Sequence, residues 1–117
     1  WTQNDKNQKL NQIHNFEGFN QQWEGIAVLN KMVKQFADTA KADGKVPVVL
    51  VINNVGYDEH LFEAIQPTLS KESIPYISTH EIVPASDMSN FISDGHFTPE
   101  ANQKIVEEVL KLIEKQE

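Results

Sequence analysis

The segment Ser93-Asp94-Gly95-His96-Phe97-Thr98-Pro99-Glu100-Ala101-Asn102 sets an acid and an imidazole one residue apart, directly before a helix-start signal. A carboxylate beside a histidine fixes its tautomer and stabilises the imidazolium. The ring then serves as a general base for a hydroxyl nucleophile. Gly95 lets the backbone turn sharply between them, so both side chains can face one pocket. An Asp-X-His triplet alone is a weak signal. Followed by Phe-Thr-Pro-Glu and an amphipathic stretch, it is more specific. The reading without chemistry has Asp94 capping local N–H groups and His96 standing in solvent. His14, His60 and His80 read as surface residues, with His80 as a candidate for the mouth of the pocket. Imidazole and carboxylate suit zinc, but a site from His80, Asp94 and His96 lacks a further fixed ligand. The expectation is therefore no metal and no cofactor.

These residues need elements to hold them. Residues 1–15 are polar, and Asn4, Asp5, Asn7, Asn11 and Asn15 favour turns over regular backbone pairing. Phe19, Trp23, Ile26, Ala27, Val33, Phe36, Ala37 and Ala40 then recur at helical spacing. They predict a helix from about Phe19 to Ala42, closed by Gly44 and slightly weakened by Gly25. Trp23 and Phe36 fall on its apolar stripe and read as core. Val46–Ile52 is short and apolar on both parities, which predicts a strand buried on both faces in a parallel sheet. Asn53, Asn54 and Gly56 read as a turn at its C-terminal end, where α/β sheets place their sites; Asn53 and Asn54 are thus candidate substrate contacts. Asp58 is a candidate cap for a short helix holding Leu61, Phe62 and Ile65, limited by Pro67. Ile74–Ser78 is a second strand and residues 79–97 a loop. Thr98 as cap and Pro99 at the first helical position start a final helix with Ala101, Ile105, Val109, Leu112 and Ile113 on one face.

Helix, strand, helix, strand, helix is the alternation of a parallel α/β domain. Two strands do not complete one, because an apolar strand would keep an unpaired edge. The expectation is a single partial domain over residues 1–117, its sheet completed by a missing N-terminal part or by another copy of the chain. With 117 residues, net charge −7, ten Lys and no Arg, the chain lacks the basic face that nucleic acid demands. No apolar run is long enough for membrane insertion. The absence of Cys removes disulfides, thiolate metal sites and a Cys nucleophile, and it leaves the compartment open, export included.

Taken together, these blocks resemble the SGNH hydrolases, also called the GDSL esterase/lipase family. The family's last block places Asp shortly before His in a loop that leads to the C-terminal helix. Asp94 and His96 match it, with one intervening residue instead of the commoner two. Thr2-Gln3-Asn4-Asp5 is similar to the last two positions of the family's Gly-X-Asn-Asp block, with Thr2 where Gly usually stands. The resemblance implies the C-terminal part of a three-layer α/β/α, flavodoxin-like fold. It also implies a Ser-His-Asp esterase in which His96 is the base, Asp94 orients it and Asn4 helps form the oxyanion hole. The Gly-Asp-Ser nucleophile block has no counterpart here, so these 117 residues alone are expected to be inactive. The implied substrate is a small-molecule or glycan ester. Two rivals are an acyltransferase of the same family acting on a glycan, and a non-catalytic flavodoxin-like binding module.

Overall fold

The computed structural model describes residues 10, 12–15, 17–55 and 57–116. Two short strands, β1 (His14–Asn15) and β2 (Gly18–Phe19), pair antiparallel with His14 opposite Phe19. Helix α1 (Glu24–Ala42) leads to strand β3 (Val49–Val51), and helix α2 (His60–Lys71) to strand β4 (Tyr76–Ser78). Single 3-10 turns at Thr79–Glu81 and Met88–Asn90 precede helix α3 (Pro99–Gln116). Strands β3 and β4 run parallel, with Val49, Leu50 and Val51 opposite Tyr76, Ile77 and Ser78. The molecule is a small mixed α/β structure around a parallel strand pair.

Helix α1 starts later than the apolar spacing predicts. Phe19 belongs to β2 instead, and the Asn20 backbone N–H donates to the Ile13 carbonyl at 2.7 Å. The Asn20 side chain accepts from the Gln22 N–H at 3.0 Å and donates to the Gln12 carbonyl at 2.8 Å. Such local bonds outcompete the first helical turn. The Trp23 indole lies over Gly25 so closely that a Cβ there would overlap its ring. Gly25 is thus a packing glycine, and its helical cost is the consequence of that contact. At the other end Gly44 takes φ +72°, and the Lys45 N–H reaches back to the Ala40 carbonyl at 2.8 Å.

The first core cluster joins Ala37 of α1 and Ile65 and Leu69 of α2 to Val51 and Ile74, with Leu29, Val33 and Val49 packed against it. Asn30 ties the two helices: its Nδ2 donates to the Ile26 and Ala64 carbonyls, each at 2.8 Å, and its Oδ1 accepts from the Thr68 hydroxyl. Pro67 does not limit α2, which runs through it to Lys71. Burial of Ala64, Ile65 and Leu69 outweighs the one backbone bond the ring removes. Asp58 does not cap α2 either. It accepts from the Ala85 N–H and the Asn53 amide.

Three burial expectations are corrected. Strand β3 is covered on one face only: Val51 is buried, whereas Leu50 and Ile52 are 44% and 52% exposed. Phe36 and Trp23 are not core, being 49% and 38% exposed. Phe36 shares an exposed stripe with Val28 and Met32, while Leu29, Val33 and Ala37 face α2. On α3, Ala101 and Ile105 pack on Val83 beside Ile82, Phe97 and Val109, but Ile113 is exposed. No helix among the described residues is long and apolar enough to cross a membrane.

Candidate active site

The loop carrying Asp94 and His96 is closed at its base. Phe91 and Phe97 form an isolated bridge, their rings stacked at 5.2 Å. The Thr98 N–H donates to the Asn90 carbonyl at 2.9 Å and the Ile92 N–H to the His96 carbonyl at 2.8 Å. Below the loop, the Thr98 hydroxyl accepts the Ala101 N–H at 3.1 Å, the cap that the Thr-Pro pair predicts. Gly95 sits at the tip with φ +87°, a conformation L side chains disfavour. This turn brings Asp94 and His96 to one side.

The Asp94 Oδ1 lies 2.9 Å from His96 Nδ1 and also accepts the His96 backbone N–H at 3.1 Å. These two bonds, the ring bond first, hold the Asp94 carboxyl below the usual carboxylate range. With Nδ1 donating to the carboxylate, Nε2 keeps its lone pair for a hydroxyl proton. Both side chains are open to solvent, His96 at 80% and Asp94 at 60%. The Val55 Cγ2, in the turn after β3, is 3.8 Å from where a Cβ on Gly95 would stand. The loop tip therefore meets the C-terminal end of the parallel strands.

Asn53 and Asn54 occupy that end differently. Asn53 is buried and its groups are committed. Its N–H donates to Thr79 Oγ1 at 2.8 Å, its Oδ1 accepts the Thr79 hydroxyl, and its Nδ2 faces Asp58 Oδ1 at 3.2 Å and the Val83 carbonyl at 3.5 Å. Asn54 is exposed at the rim of a cavity of about 220 Å³, walled by His14, Phe19, Ile52, Tyr57 and His60. Asn4 lies outside the described residues. Among the described residues no three His, Asp or Glu gather closely enough to hold a metal, so His80, Asp94 and His96 form no such group.

The remaining histidines are not simply surface residues. His60 is buried, and its Nδ1 shares a hydrogen bond with His14 Nε2 at 2.7 Å. His80 Nδ1 shares one with the buried Ser78 hydroxyl, and its ring lies 5.2 Å from Phe62. No spacing signal marks the first pair, since its members are 46 positions apart. No protein-family model, curated protein or solved structure matches the chain.

Proposed function

We propose that this chain supplies the acid–base half of an SGNH-type serine esterase, with the nucleophilic Ser on a part of the protein outside these 117 residues. The observation that carries the reading is the Asp94 carboxylate on His96 Nδ1 at 2.9 Å, which leaves Nε2 for the reacting hydroxyl. The position of the loop at the C-terminal end of parallel strands supports it as well, because α/β sheets bind ligands there.

In this scheme His96 Nε2 takes the Ser proton as the Ser oxygen bonds to the ester carbonyl carbon. The carbonyl π electrons move onto oxygen, where Asn4 and backbone N–H groups stabilise the charge. Collapse of the tetrahedral intermediate breaks the bond to the alcohol, which leaves with the proton from His96. Water repeats the sequence on the acyl-enzyme and returns free acid and Ser. Asp94 keeps its charge and orients the ring throughout. The substrate is a small-molecule or glycan ester, and no step calls for a cofactor.

The same reading places β3 and β4 at one side of a larger three-layer α/β/α domain. Parallel crossovers are right-handed almost without exception. Helices α1 and α2 share the core cluster on one face of β3. A strand feeding α1 would therefore pair with the edge of β3 opposite β4.

The test is ester turnover by the intact protein. His96→Ala is expected to lower kcat for a short-chain aryl ester by about 10³-fold or more. Asn4→Ala should lower it by about 10²-fold, with KM nearly unchanged. Unchanged turnover in His96→Ala would overturn the assignment.

A further inference from the structure

The His14–His60 contact joins two segments that the esterase scheme does not use. We propose that it is an acid-operated latch, holding the β1–β2 hairpin on the N-terminal end of α2 at neutral pH and releasing it when both rings are protonated. The geometry demands this sign. His14 Nε2 and His60 Nδ1 stand 2.7 Å apart, so one nitrogen must carry a proton and the other must offer a lone pair. Two neutral rings satisfy that, and so does one proton beyond neutrality. A second extra proton sets two N–H groups face to face and removes the bond.

The surroundings oppose that second charge. Phe19 and Tyr57 flank the His14 ring at centroid distances of 4.5 and 4.6 Å, and Tyr57 is 5.6 Å from the His60 ring. His60 opens α2, where the helix dipole disfavours a cation. Of the two acids just before His60, Asp58 is bound to Ala85 and Asn53, and Glu59 makes no hydrogen bond or ion pair to either ring. Glu63 of α2 does face the hairpin: its Oε2 and the His60 Cδ2 lie 3.8 and 3.9 Å from where a Cβ on Gly18 would stand. That carboxylate is exposed, so solvent and salt screen what it can offer a second charge on the pair. Burial first, and the His60 charge second, push His14 below the ordinary imidazole range.

A lowered value in the docked state means docking is at full strength above the ordinary imidazole range and weakens as pH falls through the lowered value. Across that interval each opening takes up one proton, so the opening constant rises about tenfold per pH unit. Release removes the His14 and Phe19 wall of the cavity of about 220 Å³, leaving Asn54 and Ile52 on an open surface instead of at a rim.

Two-dimensional NMR of the intact protein between pH 8 and pH 4.5 provides the test, with selective histidine-ring labelling and amide exchange. Contacts between the His14 and His60 rings are expected at pH 8 and lost at the acid end. The Asn20 amide, bonded to Ile13, should lose protection together with them. His14→Phe keeps an aromatic ring without a titrating nitrogen, and its hairpin should show no acid transition. Persistence of the ring contacts at pH 4.5 in the unaltered chain overturns the latch, however the variant folds. A His14→Phe hairpin that opens over the same pH interval overturns it too.

Discussion

At the scale of single residues, the Asp94–His96 pair shows how much chemistry a two-residue spacing can fix. The contact is local, set by Gly95 at φ +87°, so it needs no distant partner to form. Its exposure also means that it adds little to stability. His96→Ala should leave the melting temperature unchanged while raising the Asp94 carboxyl toward its ordinary titration range, read by carboxyl-carbon NMR; the backbone N–H at position 96 still donates and keeps part of the lowering. The sign follows from the lowered Asp94 value: the contribution of the bond to His96 is fully present above the ordinary carboxylate range and lost as pH falls through the lowered value. Gly95→Val should cost about 1–2 kcal/mol and Gly95→Asn less, since Asn tolerates the left-handed region. Space does not decide between them, because Val55 is at ordinary contact distance. This pair was legible in the sequence because both partners and the glycine fall within three positions. The His14–His60 pair and the Asn53–Thr79 clasp were not, because each depends on how separate elements dock.

At the scale of elements, local signals held where nothing tertiary competed. Thr98-Pro99 started α3, and Gly44 closed α1. Thr98→Ala should lower stability by about 1 kcal/mol, measured by denaturant unfolding. Pro67 is the opposite case. The breaker signal was real, but α2 continues because its buried side lies on α1. Pro67 is exposed, so Pro67→Ala gives up no core contact and restores an N–H donor to the Glu63 carbonyl. We expect it to raise stability by about 1–2 kcal/mol, the helical gain less the added freedom of the unfolded chain. A fall in the unfolding midpoint would contradict this account. The late start of α1 was illegible because Phe19 satisfies a helical period and a hairpin equally well. The Asn20 side chain decides between them.

At the scale of the whole molecule, the apolar residues outnumber the places available to bury them. The principal extents are 52 × 34 × 20 Å and the Cα radius of gyration is 16.2 Å, against about 13 Å for a compact domain of 100 residues. Leu50 on β3, Ile52 just past it and the Val28, Met32 and Phe36 stripe of α1 all remain exposed. Composition recorded how many apolar residues there are but not which faces find a neighbour, so the doubly buried strand expected from Val46–Ile52 became a singly covered one. The isolated chain should self-associate at micromolar concentrations, seen by sedimentation velocity. Leu50→Lys combined with Ile52→Lys should suppress that association with the circular dichroism unchanged. A wild-type chain that stays monomeric throughout would show that these faces are not adhesive.

The clasp between Asn53 and Thr79 has a mechanical consequence. Beyond Val51 and Ser78 the backbone ladder stops, and the Thr79 hydroxyl takes over by accepting the Asn53 N–H and donating to the Asn53 carbonyl group of the amide. The tips of the two strands are thereby stapled past the ladder, and at their roots the Val49 N–H donates to the Pro75 carbonyl at 3.0 Å. The clasp therefore resists splaying of the strand ends that the Asp94–His96 loop meets through Val55.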